Sequence, residues 1–255
     1  MTAPVLEAIG LSKHFGGLAA VDDVSFALAP GEKLAIIGPN GAGKSTCFNM
    51  LMGQLKPTAG EVRLDGQRIT GLSPRAVWRR GVGRTFQITA TYPSMTVVEN
   101  VQMALMSHYH GLFALAALAS RQHRAEAEAL LARVGMAAQA ERHAAILAYG
   151  DLKRLELAVA LSGMPKLLLM DEPTAGMAPA ERASLMGLVD ETVAERGISV
   201  LFTEHDMDVV FGHADRILVL NRGRLIAEGD AETVRADPKV QAVYLGGGVE
   251  AAADG

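Results

Sequence analysis

Short apolar runs separated by turn residues divide the first third of the chain into predicted strands. Residues 33–37 form a continuous apolar run typical of a buried strand, and residues 24–28 alternate apolar with small side chains. Asp65-Gly66 separates two further runs and is a strong signal for a two-residue hairpin. The N-terminal part is therefore predicted to be partly antiparallel. Its predicted strands cover residues 5–9, 24–28, 33–37, 61–64 and 67–69.

Helical patterns replace the strand patterns between about residues 89 and 161, where alanine, leucine and charged side chains dominate. This change predicts a helical insert, with helices over residues 101–119, 121–134 and 152–161. Beyond the insert, apolar strands alternate with helices, and such alternation predicts a largely parallel sheet. The helices predicted beyond the insert are at residues 180–196 and from 207, and the strands are at 166–170, 199–203, 216–220 and 225–228. A further helix is predicted before the insert, at residues 44–55.

The length and composition limit the class of protein. A chain of 255 residues suits one large domain, or one domain with an embedded subdomain, and 49% hydrophobic residues are typical of a packed globular protein. The formal net charge of −4 argues against bulk binding of nucleic acid, which requires a basic face. The glycine- and alanine-rich residues 246–255 are expected to form a loose tail.

Cysteine content and hydropathy give expectations about the compartment. Cys47 is the only cysteine, so an intrachain disulfide is excluded and a reducing, cytosolic setting is expected. The first eight residues lack the basic start and apolar core of a signal peptide. The sequence has no run of about 18 uncharged apolar residues, and a transmembrane helix is therefore not expected.

A glycine-rich loop follows the buried strand at residues 33–37 and precedes a predicted helix. Residues 38–45 fit the pattern G-x-x-x-x-G-K-(S or T), in which glycines let backbone N–H groups converge on an anion. The dipole of the following helix favours the same anion, Lys44 supplies a positive charge for the β- and γ-phosphates, and Ser45 offers a hydroxyl to Mg²⁺. The loop therefore predicts an ATP-binding site that uses Mg²⁺. The residues assigned to it are Gly38, Pro39, Asn40, Gly41, Ala42, Gly43, Lys44, Ser45 and Thr46.

Two carboxylates follow the predicted strand at residues 166–170. Asp171 and Glu172 come directly after it, and ligands bind at the carboxyl ends of the strands in an open α/β sheet. Asp171 is predicted to hold Mg²⁺ through water, and Glu172 is predicted to polarise the attacking water as a general base. A solvated acidic pair is the alternative, and the nearby phosphate loop favours the functional interpretation.

A histidine lies just beyond another apolar strand, at residues 199–203. His205 is predicted to contact the γ-phosphate or the attacking water. A single histidine is more often structural or merely exposed, but its position at a strand end favours a functional role.

These residues resemble those of a known family, the nucleotide-binding subunits of ABC transporters, over about residues 6–245. Residues 38–45 match the Walker A motif of that family. Residues 167–172 match its Walker B motif, which ends in the catalytic glutamate, and His205 matches its switch histidine.

Two further positions acquire a role only from this resemblance. Gln87, in the stretch Arg-Thr-Phe-Gln of residues 84–87, matches the Q-loop glutamine of the family. That glutamine joins the core to the helical subdomain and reaches Mg²⁺ and the attacking water. Phe15 lies where the family stacks an aromatic ring on adenine, whereas the sequence pattern alone assigns it to the core.

The signature motif of the family is Leu-Ser-Gly-Gly-Gln, and residues 147–151 depart from it as Leu-Ala-Tyr-Gly-Asp. In the family, a hydroxyl at this position bonds the γ-phosphate across the dimer, and Ala148 lacks it. Gly150 and backbone N–H groups at the start of the next helix are therefore left to bind the γ-phosphate. Residues 147–157 resemble the variant signature of importers of branched-chain amino acids and related polar substrates. Ala178 replaces the usual D-loop Asp or Asn, which leaves open whether communication between the two ATP sites is weakened. The residues assigned to the signature contact are Tyr149, Gly150 and Asp151.

The resemblance implies a P-loop NTPase (RecA-like) α/β core with an antiparallel β-subdomain and an inserted α-helical subdomain. The core is assigned to residues 1–88 and 162–245, the helical subdomain with the signature to residues 89–161, and a flexible tail to residues 246–255. The implied function is that of an ATP-hydrolysing motor, which dimerises head to tail around two ATP molecules and drives a membrane permease. Residues 92–98 are the candidate part of the groove that grips the permease.

The expected partners are a second ATPase subunit, identical or not, the permease subunits and, indirectly, a periplasmic substrate-binding protein, without nucleic acid. A peripheral position on the cytoplasmic face of the inner (plasma) membrane is expected. Branched-chain or other hydrophobic or polar amino acids are the expected cargo, with urea, amides or aromatic acids as alternatives.

Three other classes of protein compete with this interpretation. A soluble ABC-type mechanoenzyme acting on nucleic acid or the ribosome would carry coiled-coil inserts or two ATPase modules, and the chain has one module and no sustained heptads. A small-molecule P-loop kinase would leave Gln87, Gly150 and His205 without a role. An exporter of lipid or lipopolysaccharide is a close relative, and the signature around Tyr149 and Asp151 argues against it.

Overall fold

The computed structural model describes residues 3–85, 91–109 and 123–245, which contain ten strands. The strands are β1 Leu6–Phe15, β2 Leu18–Leu28, β3 Lys33–Ile37, β4 Ala59–Leu64, β5 Gln67–Arg68, β6 Val82–Thr85, β7 Leu167–Asp171, β8 Ser199–Thr203, β9 Arg216–Asn221 and β10 Arg224–Gly229. Four form an antiparallel sheet in the order β2-β1-β4-β5, and six form a second sheet in the order β10-β9-β3-β8-β7-β6. The second sheet is parallel apart from the β9–β10 hairpin. This mixed α/β arrangement confirms the predicted fold class.

Helices connect the strands and cover the larger sheet. They are α1 Lys44–Leu51, α2 Pro74–Trp78, α3 Val97–His108, α4 Arg124–Arg133, α5 Tyr149–Ser162, α6 Pro179–Arg196, α7 Met207–His213, α8 Ala231–Ala236 and α9 Pro238–Leu245, with 3-10 turns at Ala137–Gln139 and Ala144–Ile146. None of the helices in the described ranges is long and apolar enough to cross a membrane.

Several helix boundaries differ from the predictions. The prediction that the first helix continues to residue 55 is wrong, because Gly53 has a left-handed φ of 69° just after the C-cap of α1. The helix predicted to begin at residue 101 begins at Val97, because Thr96 and Glu99 form a capping box at its start. The part of that prediction beyond residue 109, and residues 121 and 122 of the next helix, lie outside the described residues. Helix α5 begins three residues before the predicted 152, at Tyr149.

The six-stranded sheet is buried on both faces. Successive side chains of its central strand β3 enter two different hydrophobic clusters, with Leu34 and Ile36 on one side and Ala35 and Ile37 on the other. Phe48 of α1 and the apolar side chains of the antiparallel sheet complete the first cluster. Helix α1 therefore lies on the face that the smaller sheet also covers, which places the loop before it at the carboxyl edge of the parallel strands.

The helical region shares its core with the opposite face of the sheet. Leu105 of α3, Leu131 of α4 and Leu155 of α5 are fully buried and belong to the same cluster as Ala35 and Ile37. Burial of these side chains, rather than local helix propensity, stabilises the three helices against the sheet. The start of α5 is consequently held by packing, although it lies at the surface.

Candidate active site

The glycine loop at residues 38–43 connects β3 to α1. Gly43, the N-cap of α1, has a φ of 104°, and a Cβ atom there would collide with the carbonyl oxygen of Ala20. Positive φ and lack of space together require glycine at this position. No side chain caps α1, and its first turn contains no acidic residue. The first N–H groups of α1 and the positive end of its dipole therefore favour an anion in the loop.

Lys44 is the first residue of α1 and directly follows this loop. Its side chain is buried, and its Nζ donates to the carbonyl oxygens of Gly38, at 2.6 Å, and Pro39, at 3.3 Å. Burial lowers the pKa of Lys44, while the carboxylates of Glu172 and Asp171 act in the opposite direction. A phosphate group bound in the loop would replace the two carbonyls as the partner of this amino group.

A cleft of about 690 Å³ opens beside the loop. Phe15, at the end of β1, lies at its rim with 51% of its surface exposed. Gly38 and Pro39 are not among the lining residues, although their carbonyl oxygens accept hydrogen bonds from Lys44, which lines the cleft. Four lining residues, Leu18, Ala19, Ala20 and Arg222, were not predicted, because they reach the loop through sheet pairing and carry no motif. The cleft is lined by Phe15, Leu18, Ala19, Ala20, Asn40, Gly41, Ala42, Gly43, Lys44, Ser45, Thr46, Glu172, His205 and Arg222.

Asp171 ends β7 and is buried against the neighbouring strands. It pairs in register with Thr203 of β8, whose hydroxyl donates to Asp171 Oδ1 at 2.8 Å. Asp171 Oδ2 lies 3.4 Å from Nη2 of Arg84, a residue of β6. Burial lowers the pKa of Arg84, and the adjacent carboxylate of Asp171 raises it again. The predicted Mg²⁺ ligand is thus a carboxylate whose orientation is set by two buried partners.

Glu172 and His205 meet at the edge of the cleft. His205 Nε2 lies 2.9 Å from Glu172 Oε1, although the two residues are 33 positions apart. Glu172 adopts a left-handed φ of 49°, a conformation that costs a residue with a side chain about 1–3 kcal/mol and occurs preferentially at functional sites. Its backbone N–H donates to Thr203 Oγ1 at 3.1 Å, which holds the strained residue in place.

The residues predicted to form the signature contact are separate from this cleft. Tyr149, Gly150 and Asp151 form the first turn of α5 and are not among the lining residues. Asp151 Oδ2 accepts a hydrogen bond of 3.0 Å from Gln139, and Tyr149 is 44% exposed. Gln87, predicted to be catalytic and to bind the metal, lies outside the described residues.

The sequence matches known families in two segments. Residues 21–175 match the ABC transporter family, and residues 224–250 match the branched-chain amino acid ATP-binding cassette transporter family. The chain is also similar to the high-affinity branched-chain amino acid transport ATP-binding protein LivG of Escherichia coli (strain K12). The two are 42% identical over 253 residues, which cover 96% of this chain and 99% of LivG.

The fold is similar to two solved structures of ATP-binding cassettes. The ADP conformation of a cassette from an ABC transporter has a TM-score of 0.84 and 33% identity, covering 96% of this chain and 100% of that one. A dimeric cassette in a post-hydrolysis state, bound to ADP and phosphate, has a TM-score of 0.76 and 26% identity, covering 88% of this chain and 98% of that one.

Proposed function

The chain belongs to the ABC transporter family as one of its ATP-hydrolysing subunits, and we propose that it powers the import of branched-chain amino acids. The assignment of the cargo rests on the match of residues 224–250, at the C-terminal end, to cassettes of branched-chain amino acid transporters. The name of the similar protein LivG supports the same cargo over nearly the whole chain.

We assign the phosphates of ATP to the loop at residues 38–46 and to the start of α1. The buried amino group of Lys44 and the uncapped N–H groups of α1 are the donors that favour this assignment. The half-exposed ring of Phe15 lies at the rim of the same cleft, where it can stack on adenine.

Mg²⁺ fits the donors at this edge of the sheet. Mg²⁺ prefers oxygen ligands and is usually held by one or two carboxylates together with substrate phosphates. The Ser45 hydroxyl and the Asp171 carboxylate are such donors, and Gln87 stays a predicted third ligand. When bound, the ion neutralises charge on the β- and γ-phosphates. Thr203 donates to Asp171 Oδ1 at 2.8 Å and Arg84 Nη2 lies 3.4 Å from Asp171 Oδ2, so these two partners set the orientation in which the carboxylate would meet the ion.

We assign proton transfer to Glu172. A water attacks the γ-phosphorus, the bond to the ADP oxygen breaks, and the water proton moves to the Glu172 carboxylate. His205, 2.9 Å from Glu172 Oε1, orients that carboxylate and would contact the γ-phosphate or the attacking water. A general base of this kind contributes about 10²- to 10⁴-fold to the rate.

A second ATPase subunit, identical or not, is proposed to complete each site. We propose that the first turn of α5, which carries Tyr149, Gly150 and Asp151, closes over the ATP of a second ATPase subunit. The proposal is supported by the separation of this turn from the cleft of its own chain and by the dimeric structure of a similar cassette.

An apolar groove that shares no lining residue with the cleft is the proposed docking site of the permease. We define the groove as two depressions that share Trp78 and Val159, of about 320 Å³ and 260 Å³. The exposed ring of Tyr92, within the predicted segment 92–98, lines the larger depression. Such a groove accepts an amphipathic helix. Docking of the permease in this groove would attach the chain peripherally to the cytoplasmic face of the inner membrane. A periplasmic binding protein would then be an indirect partner.

The division into subdomains also stays a proposal. We keep residues 1–88 and 162–245 as the ATP-binding core and residues 89–161 as the helical subdomain, whereas the predicted tail at residues 246–255 lies outside the described residues. The support is that α3, α4 and α5 lie in the middle segment and contact one another.

Transport by the assembled complex tests the cargo. The tagged chain is purified with its membrane partners and reconstituted in proteoliposomes, with the Glu172→Gln variant as a control without turnover. ATP-dependent uptake of labelled leucine, isoleucine and valine is expected. Uptake of urea, an amide or an aromatic acid instead would replace the proposed cargo, and outward movement of lipid would reject import.

A further inference from the structure

Arg84 is a buried cation to which the proposed mechanism assigns no role. Its side chain is 8% exposed, and that of Asp171 beside it is 7% exposed. A guanidinium group stays charged in proteins, and removing it from water is costly unless several partners compensate. The partners of Arg84 therefore indicate why a charge is kept at this position.

The sheet register determines where the side chain of Arg84 lies. Arg84 pairs with Leu169 across β6 and β7, and Asp171 pairs with Thr203 across β7 and β8. Because alternate residues of a strand share a face, Arg84, Asp171 and Thr203 lie on one face of the sheet. Helix α1 covers that face, and Arg84 Nη1 lies 3.5 Å from Oδ1 of Asn49 on α1.

On one side, Arg84 begins a chain of polar contacts that leads to the proposed base. Its Nη2 lies 3.4 Å from Asp171 Oδ2, and the Thr203 hydroxyl donates to Asp171 Oδ1. The same hydroxyl accepts the backbone N–H of Glu172 at 3.1 Å. Arg84 and Thr203 therefore together determine the orientation of the Asp171 carboxylate.

On its other side, Arg84 reaches the apolar groove. Its Nη1 donates to Gln54 Oε1 at 2.7 Å, and both residues line the smaller depression together with Trp78. Charge-assisted hydrogen bonds are typically about 2.7–2.9 Å long, so the guanidinium is held more closely by Gln54 than by Asp171. Gln54 is exposed and accessible to whatever fills the groove.

We infer that Arg84 is a positioning residue that couples the apolar groove to Asp171. The inference rests on the proposed function, which assigns the groove to the permease and Asp171 to Mg²⁺. A helix in the groove that forms a hydrogen bond with Gln54 in place of Arg84 lets the Arg84 guanidinium move toward Asp171. This shift changes how the Asp171 carboxylate binds Mg²⁺. Docking at the groove and the metal site are then linked through one side chain.

The test measures binding of Mn²⁺, as a probe for Mg²⁺, to the ATP-bound protein by electron paramagnetic resonance. The Glu172→Gln background prevents hydrolysis. Arg84→Gln removes a cation beside the ligand and is expected to tighten Mn²⁺ binding about threefold or more. Gln54→Ala frees the guanidinium to approach Asp171 and is expected to weaken Mn²⁺ binding about twofold or more. The double variant is expected to match Arg84→Gln, because Gln54 acts only through Arg84.

Two further variants serve as controls. Arg75→Gln alters an exposed arginine of the same depression and is expected to leave Mn²⁺ binding unchanged. Arg84→Lys keeps the charge without the fork and is expected to lie between the wild type and Arg84→Gln. If Arg84→Gln fails to fold by circular dichroism, Arg84→Lys and Gln54→Ala still carry the test.

Either of two results would overturn the inference: unchanged Mn²⁺ affinity in Arg84→Gln, or a Gln54→Ala effect that persists in the double variant. A wild-type protein that binds neither ATP nor Mn²⁺ would instead reject the proposed function. Failure of the inference alone would leave wild-type ATP binding and turnover intact.

Discussion

The starts of helices α1 and α5 both have a proposed role in binding phosphate, but their surroundings differ. The start of α1 follows the glycine loop, is formed by the buried Lys44, and has no acidic residue in its first turn. The start of α5 lies at the surface, follows Ala148 without a side-chain cap, and has Asp151 in its first turn. A helix start favours an anion by about 0.3–1 kcal/mol, and a carboxylate in the first turn already uses part of that preference. The difference supports the proposal that α1 binds phosphate within one chain, whereas α5 completes the site of a second ATPase subunit.

The largest expected effect separates turnover from binding. Glu172→Gln removes the proposed base and is expected to lower kcat by about 10²- to 10⁴-fold, while ATP binding at the α1 loop survives. Stable dimers are expected to accumulate with ATP, measured by size-exclusion chromatography with light scattering. Glu191→Gln alters an exposed carboxylate on α6 and is the matched control. Turnover of Glu172→Gln within tenfold of the wild type would refute the assignment of the base.

The second prediction breaks the α1 side of the comparison. Lys44→Ala removes the charged donor of the loop and is expected to weaken ATP binding by the single subunit about tenfold to a hundredfold. Isothermal titration calorimetry measures the affinity, and Lys239→Ala, an exposed lysine on α9, is the control. An affinity equal to that of the wild type would show that the loop does not bind the phosphates through Lys44.

The third prediction breaks the α5 side. A Cβ atom at Gly150 would lie 3.0 Å from Oε1 of Glu181, a flexible side chain that can move, so Gly150→Ala is expected to fold. The misplaced turn is expected to lower turnover about tenfold or more, while ATP binding by the single subunit stays at the wild-type level.

Gly187→Ala provides the control for this substitution, because a Cβ atom at Gly187 meets nothing within 4 Å. Steady-state ATPase assays and calorimetry on both variants separate the two effects. Equal losses of ATP affinity and turnover in Gly150→Ala would mean that α5 supports its own cleft instead of a partner's.

The smallest effect is expected from Ala148→Ser. Ala148 has the extended backbone of an N-cap, with φ −63° and ψ 156°, and a serine hydroxyl there can cap α5. The free energy of unfolding is expected to rise by about 1 kcal/mol, measured by urea denaturation. Turnover is expected to stay within a few-fold of the wild type. A collapse of turnover would show that this signature differs in geometry from the usual serine-containing form.

The strands at the centre of the large sheet were predicted accurately. Lys33–Ile37 and Ser199–Thr203 agree residue for residue, because strands buried on both faces are continuous apolar runs. The short elements α2 and β6 were not predicted, since four or five residues are too few to establish a period. Helices α8 and α9 were missed as well, since each is short, with six and eight residues.

The site was predictable where its chemistry is contiguous. The loop at residues 38–46 carries its pattern in neighbouring residues, and Phe15 was identified only through the family resemblance. Arg84 and Thr203 had no signal as partners of Asp171, because register between strands brings them together. The assigned roles of all these residues stay predictions until they are measured.

The sequence by itself determined the local chemistry: a glycine loop, its lysine and a helix start form from adjacent residues, because backbone conformation is a short-range property. Only the tertiary structure decided that Glu172 and His205 lie 2.9 Å apart. It also decided that Arg84 lies between Gln54 and Asp171, and that the start of α5 lies outside its own cleft. These distances depend on sheet register and on burial of distant apolar side chains, which no local pattern records.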